Sequence, residues 1–147
     1  MRKGLIVGVI GLALSGALVG TVLAQATDPI AARKDNRKQA GAAMKAIKGI
    51  IDAKGPTAGA QAHAAKIKEL TVAHAKLYPK GSDKGDTKAL PVIWTDWAGF
   101  EAANTASANA ADAMATAAGS GSMEALTAAF GATGKTCGAC HDKYRAK

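Results

Sequence analysis

The chain has 147 residues, which is room for one domain. It carries 19 lysines and arginines against 11 acidic residues, a formal net charge of +8 at pH 7. Because the lysines are spread along the chain rather than clustered, this charge does not favour a nucleic-acid-binding protein.

Residues 1–24 predict a cleaved export signal. They begin with a short positive segment, continue through a 20-residue run without charge, and end in Ala24, a small residue of the kind found before a cut. A cut after Ala26 is a second option. Because the apolar run is about long enough to span a bilayer, an uncleaved anchor is the structural alternative. The mature chain 25–147 is therefore expected in the periplasm, without stable membrane association.

The mature chain is expected to form four helices, since no segment alternates with the period of two that a strand requires. The first is predicted to begin at Asp28-Pro29, an N-cap followed by proline at the first helical position. Ser122 is predicted to cap the fourth. The predicted segments are residues 28–55, 57–78, 87–118 and 122 onward. Their short connections predict an all-α fold, an antiparallel up-and-down four-helix bundle.

Each predicted helix carries a stripe of inward-facing residues with a period near 3.5. The first stripe contains Ile30, Arg33, Arg37, Ala40, Met44, Ile47 and Ile51, and the second Ala60, His63, Ile67, Leu70, His74 and Leu77. Arg33 and Arg37 stand out, because an unpaired cation on an apolar face is costly. The alternatives are that the predicted register is wrong by one residue, or that both arginines lie at a solvated edge.

The two cysteines of the chain lie together in the run Cys137-Gly-Ala-Cys140-His141. On a helix, both thiols face the same side and can add to the two vinyl groups of one haem. The following histidine then lies beneath the iron as its proximal ligand. Export fits this interpretation. Aromatic residues are only 4% of the chain, so a buried haem would also supply apolar volume to a core with few large side chains.

Three other roles for the cysteines compete with this one. A redox dithiol would need a thioredoxin-like strand-helix setting, which the pattern lacks. A disulfide would close a very small loop and stabilise little. A zinc site would lack a fourth strong ligand unless His63 or His74 of the second helix reached the cysteines of the fourth. Haem attachment is therefore the favoured interpretation, with a thiol-disulfide oxidoreductase as the remote alternative.

With these residues in place, the mature chain resembles the class II c-type cytochromes, which include the cytochromes c′. The resemblance rests on the carboxyl-terminal run 137–145 (CGACHDKYR) and on residues 89–97 (ALPVIWTDW), close to the family's A-x-P-x-I-W-x-D. Matching positions at 30–33 and 44–48 in the first helix extend it. The resemblance implies one covalent haem c, single-electron transfer, binding of nitric oxide or carbon monoxide, and dimers formed through the first two helices.

The first helix departs from the family pattern at the distal side of the haem. Four residues beyond the position of Arg33, the family has methionine in low-spin electron carriers and a non-ligand in five-coordinate cytochromes c′. Here that residue is Arg37, whose guanidinium has no lone pair to offer iron. Lys34 also stands where the family commonly has glutamine. We therefore expect an open or weakly occupied distal position.

A six-coordinate, low-spin electron carrier is the alternative, with a sixth ligand taken from His63, His74 or a displaced methionine such as Met44. Arg33 is expected to pair with a haem propionate. Arg37 is expected either to reach a propionate or to extend its charged end into solvent.

Arg145 lies one turn beyond His141 and is expected to border the proximal face, as the resemblance supports; a solvated tail residue is the alternative. Removal of residues 1–24 leaves 17 basic and 11 acidic side chains. That surface suits acidic redox partner proteins, although simple solubility accounts for it equally. The sequence shows no constellation for catalytic turnover, so we do not expect an enzyme.

Overall fold

The computed structural model describes residues 28–147, so the predicted export signal lies outside the described residues. The described residues form five α-helices, a short 3-10 turn and one isolated bridge between Ala89 and Arg145. The helices are α1 (Pro29–Asp52), α2 (Ala58–His74, followed by the 3-10 turn Ala75–Leu77), α3 (Val92–Thr95), α4 (Trp97–Gly119) and α5 (Met123–Tyr144). Between residues 28 and 147, no helix has the length and apolar character needed to cross a bilayer.

The four long helices form the predicted antiparallel up-and-down bundle. Helix α2 packs extensively on α1 and on α4, and α4 packs on α5. Helices α1 and α5 meet only sparsely. That gap between the first and last helices is where the candidate site lies.

Local capping chemistry fixes the helix starts as predicted. The Asp28 side chain accepts a hydrogen bond from the Ile30 backbone N–H at 2.8 Å, and proline follows it at the first helical position. The Ser122 hydroxyl accepts one from the Ala125 N–H at 3.1 Å. Helix α1 ends at Asp52, three residues before Gly55-Pro56, and the chain reverses at Lys54 with a left-handed φ of 50°.

The third predicted helix is two helices in the structure. Asp96 has a φ of −122° and a ψ of 53°, which separates the one-turn α3 from α4. Its carboxylate accepts a hydrogen bond from the Tyr144 hydroxyl at 2.8 Å and pairs with Lys143 Nζ at 2.7 Å. The helix is therefore interrupted by a residue that the end of α5 holds, a contact across 48 residues that no local pattern reveals.

The buried stripes also differ from the predicted ones. Asn36 and Ala43 are buried in α1, whereas Met44 is only partly buried. In α2, Ala64 and Thr71 are buried and His63 is only partly so. The predicted and observed stripes share Arg33, Ala40 and Ile47 in α1 and Ala60, Ile67 and His74 in α2, so they differ mainly in which of two neighbouring residues between these positions is buried.

The core has two parts. The larger cluster consists of Ala43, Ile47, Ala60, Ala64, Ile67, Ala111, Met114, Ala118 and Leu126. Most of its members are alanine, so the helices can approach closely without large side chains. The second cluster is aromatic and centres on Ile93, Phe100 and Tyr144, with Tyr78, Trp94 and Cys140 packed against it. This second cluster borders the candidate site.

Gly99 in α4 lies where the Asp96 carboxylate and the Tyr144 hydroxyl meet. A Cβ at Gly99 would lie 2.6 Å from that hydroxyl and would also collide with the carboxylate. We expect Gly99→Ala to destabilise the protein by about 1 kcal/mol, because losing a charge-assisted hydrogen bond outweighs the helix propensity of alanine. Urea unfolding followed by circular dichroism measures this.

Gly131→Ala in α5 is the matched control, because nothing lies within 4 Å of a Cβ at Gly131. It should stabilise the protein by about 0.5–1 kcal/mol. Equal stabilisation by both substitutions would mean that the Asp96–Tyr144 contact does not constrain this junction.

Candidate haem site

A cavity of about 560 Å³ opens where α1 and α5 pack sparsely. Its walls come from α1, the end of α2 with the residue that follows its 3-10 turn, the segment before α3, the start of α4 and the end of α5. The side chains on which the argument depends are Arg33, Arg37, His74, Tyr78, Cys140 and His141. A neighbouring cavity of about 640 Å³, lined by Trp94 and Trp97 among others, has neither cysteine nor histidine in its walls. The 560 Å³ cavity is therefore the candidate site.

Cys137 and Cys140 are half-buried free thiols on α5, one turn apart. Burial raises the pKa of both thiols, an effect that the nearby Arg37 guanidinium offsets in part. Reactive dithiols of oxidoreductases have lowered pKa values and form thiolates readily. The environment of these thiols therefore argues against the thiol-disulfide alternative.

His141 lines the cavity directly after Cys140. Burial lowers the pKa of its imidazole, and the positive charges of Arg145 and Arg37 lower it further. These effects favour the neutral ring, the form in which imidazole binds a metal. Among residues 28–147, no three histidine, cysteine, aspartate or glutamate side chains come together as a metal site.

Arg33 is 4% exposed, and it anchors the loop after α2. Its Nη2 donates to the Ser82 backbone carbonyl at 2.7 Å and its Nη1 to the Ser82 hydroxyl at 3.2 Å. The guanidinium lies over the Tyr78 ring, 4.5 Å from its centroid. Burial lowers the pKa of Arg33. Its buried Nε has no hydrogen-bond partner within the described part of the chain.

Arg37 is half-buried at the cavity wall, so it does not extend fully into solvent. Its Nε and Nη2 donate to the Asn36 side-chain oxygen at 2.8 and 2.5 Å, and Nη2 also donates to the Leu70 carbonyl at 3.2 Å. Asn36 Nδ2 donates to the same carbonyl at 2.9 Å. The side chain is therefore held by α1 and α2 together. Burial lowers the pKa of Arg37.

His74 is buried beside both arginines. Its Nε2 shares a hydrogen bond with the Tyr78 hydroxyl at 3.0 Å, and its Nδ1 has no partner among residues 28–147. The pKa of His74 is lowered to about 3, first by burial and then by the charges of Arg37 and Arg33. Burial raises the pKa of Tyr78. Of the two histidines predicted on α2, His74 lines the cavity and His63 does not.

Arg145 lines the cavity as an exposed side chain on the tail that follows α5. The tail is held in place by the backbone: Leu90 N–H donates to the Tyr144 carbonyl at 3.0 Å, and Ala146 N–H to the Lys88 carbonyl at 2.8 Å. The run that precedes α3 thus fixes the residues that follow the histidine.

The sequence analysis missed Asn36, Tyr78 and Ser82. Asn36 is next to Arg37 and lies outside the predicted stripe. In the sequence, Tyr78 is only the predicted last residue of the second helix, and Ser82 belongs to a polar loop without periodicity. The pattern of polar and apolar residues does not reveal such contacts, since the partners lie 4 to 49 residues away.

This set of residues fits a covalently attached haem. Cys140 and His141 line the cavity together with apolar Ile93 and Phe100, and Cys137 is a half-buried free thiol one turn before Cys140. The cavity is lined by six cationic side chains, Arg33, Lys34, Arg37, Lys38, Lys88 and Arg145, and by one carboxylate, Asp86. An excess of cations with an unpartnered buried Arg33 Nε suits the two propionates that haem carries.

Known proteins resemble this chain in sequence and in fold. The family model described as Cytochrome C' matches residues 28–145. A cytochrome c' of Rhodopseudomonas palustris is 39% identical over 141 residues, covering 93% of this chain and 92% of that protein. A solved cytochrome c' with an unusual ligand-controlled dimer dissociation is 30% identical, covers 82% of this chain and 95% of its own, and has a TM-score of 0.77. The nitric oxide complex of a mutant cytochrome c prime from Alcaligenes xylosoxidans is 28% identical, covers 82% of this chain and 94% of its own, and has a TM-score of 0.74.

Proposed function

Because this chain belongs to the cytochrome c′ family, which binds one covalent haem c, we propose that it is a periplasmic haem protein that exchanges single electrons and binds nitric oxide or carbon monoxide at an open distal site. As a family member it is a haem-binding carrier rather than an enzyme. When bound, the haem supplies the iron that gains or loses one electron and takes a diatomic ligand.

Attachment is assigned to the end of α5. Cys137 and Cys140 would each add across a vinyl group, so that sulfur bonds to carbon and the thiol hydrogen passes to the neighbouring carbon. His141 would offer its neutral imidazole to the iron. Arg33 is proposed to pair with a haem propionate, and Arg145 is proposed to border the proximal face of the haem. Arg33 has only its Nε without a partner in the described residues, since both Nη atoms hold Ser82.

The observation that carries the open distal site is the position of Arg37. It lines the cavity opposite α5, at the place where a methionine ligand would stand in a low-spin relative, and a protonated guanidinium cannot bind iron. Met44 lies two turns further along α1 and packs against the main core cluster. A mutant of the related protein from Alcaligenes xylosoxidans has been solved as a nitric oxide complex, which supports gas binding here.

A second candidate is a six-coordinate carrier in which His74 binds the iron. His74 lines the cavity, and a pKa lowered to about 3 keeps its ring neutral. Against this stands the hydrogen bond between His74 Nε2 and the Tyr78 hydroxyl, which would have to break if that nitrogen became the ligand. We therefore favour the five-coordinate form.

Visible absorption and electron paramagnetic resonance spectra of the purified protein separate the two. We expect a high-spin ferric spectrum, and a ferrous spectrum that changes on addition of carbon monoxide or nitric oxide. His74→Ala should leave the spin state unchanged, because His74 is not a ligand in this form. A low-spin ferric spectrum that turns high-spin in His74→Ala would establish the second candidate instead.

The proposed location rests on residues 1–24, and the remaining chain carries a net positive charge. That charge suits an acidic redox partner, and a solved relative with ligand-controlled dimer dissociation supports a homodimer. The preparation used for the spectra should therefore come from the periplasmic fraction, begin at Gln25 or two residues later, and sediment as a dimer. Protein that stays in the cytoplasm with an intact Met1 would contradict the proposed periplasmic location. Protein that sediments as a monomer would contradict the proposed homodimer.

A further inference from the structure

We propose that the distal side of this cavity is an anion-binding site, in which Arg37 donates hydrogen bonds to a small anion such as fluoride or azide on the ferric protein. The inference rests on the proposed function, because it needs an open distal position. It goes beyond that function by naming a charged class of ligand and the residue that selects it.

The first support is how the Arg37 guanidinium is held. Its Nε and Nη2 are bonded to the Asn36 side chain and the Leu70 carbonyl. Within residues 28–147, its Nη1 donates to no acceptor, and Arg37 is not among the residues with a fully buried unpartnered atom. The Nε and Nη2 side of the guanidinium is thus held by α1 and α2, while Nη1 stays available to donate a hydrogen bond at the cavity. A donor fixed in advance loses little entropy when it binds a ligand.

The second support is charge. No ion pair among the described residues includes Arg37. The single carboxylate at the cavity, Asp86, is already bonded to Lys34. Two propionates would neutralise only part of the cation excess at this wall. The remaining positive charge favours an anionic ligand over a neutral one.

The third support is the position of Arg37. It lines the same cavity as Cys140 and His141, two of the three proposed attachment residues. A guanidinium that shares a cavity with these α5 residues is placed near the proposed iron position.

The test is a titration of ferric holoprotein with fluoride and with azide at neutral pH and constant ionic strength, followed by Soret absorbance. We expect Arg37→Leu and Arg37→Gln to lower the affinity for both anions by about 10- to 100-fold, the range that corresponds to the loss of one hydrogen bond to a charged group. Arg37→Lys should give an intermediate loss, since it keeps the charge without the fork. Carbon monoxide binding to the ferrous forms should not weaken.

Lys45→Gln is the matched control, because it removes the same charge from an exposed position of α1 away from the cavity. It should leave both anion affinities within about twofold. Three results would overturn the inference: wild-type protein that binds neither anion, unchanged affinities in both neutral Arg37 variants, or an equal loss in Lys45→Gln. A low-spin ferric spectrum before any ligand is added would instead show that the proposed open site is wrong.

Discussion

Replacing Cys137 and Cys140 together with alanine is expected to abolish haem staining of the denatured polypeptide. Each thiol is the only sulfur nucleophile available to one vinyl group, and the chain has no other cysteine. The free energy of unfolding should fall by roughly 3 kcal/mol or more. A ligand whose effective concentration is roughly 100 to 1,000 times its dissociation constant stabilises the folded state by about 3 to 4 kcal/mol. A haem stain on a denaturing gel and thermal unfolding of the soluble protein measure the two effects.

Two controls make the result specific to the attachment. Cys137→Ala alone should keep staining through the remaining thioether, at reduced intensity. Thr136→Ala, on the same turn of α5, should stain like the wild type, because the Thr136 hydroxyl, which donates to the Thr133 carbonyl and also lies beside the Cys137 thiol, cannot add to a vinyl group. If wild-type protein from the periplasm has two thiols that react freely with an alkylating reagent and no Soret band, the haem assignment is wrong.

Lowering the pH from about 7 to about 5 is expected to reduce the free energy of unfolding by roughly 2 kcal/mol through His74 alone. The pKa of His74 is about 3 in the folded protein against 6.5 as its ordinary value. Between these two values the unfolded chain binds a proton at this position and the folded chain does not. Stability therefore rises with pH across that window and is lost as the pH falls below 6.5.

Urea unfolding at about pH 7, 6 and 5 checks this prediction, since carboxylates are still charged over most of that range. His74→Gln should remove the slope, while its amide can still bond the Tyr78 hydroxyl. His63→Gln is the matched control on the same helix and should retain the slope. A His74→Gln protein that loses stability with acid as steeply as the wild type would rule out His74 as the source.

The folded chain buries polar side chains beside the cavity. Their burial lowers the stability of the fold, and the apolar core must offset this loss. Arg33 and His74 are 4% and 8% exposed, and each has one buried nitrogen without a partner in the described region. Buried polar atoms of this kind destabilise a fold unless they are satisfied. We propose that the propionates of a bound haem are the partner of these two nitrogens, and this proposal would account for the polar residues that lie at the aromatic end of the bundle.

Features that depend on near neighbours could be predicted from the amino-acid sequence alone. Asp28 with the following proline, and Ser122, start their helices by bonding to N–H groups two or three residues ahead. The haem motif is equally local, because Cys137 and Cys140 need only one helical turn to face the same side, and the resemblance to cytochromes c′ followed from short runs of residues. The family comparison confirmed that resemblance.

The contacts between residues that are distant in sequence became known only from the folded chain. Asp96 breaks the predicted third helix because Tyr144 and Lys143 hold its carboxylate, and Arg33 is committed to Ser82 across 49 residues. Arg37 is fixed by Asn36 and by a carbonyl of α2. Such partners are chosen by how whole helices pack, and the period of a stripe gives the buried face only to within about one residue, so it cannot say which polar side chain finds which partner.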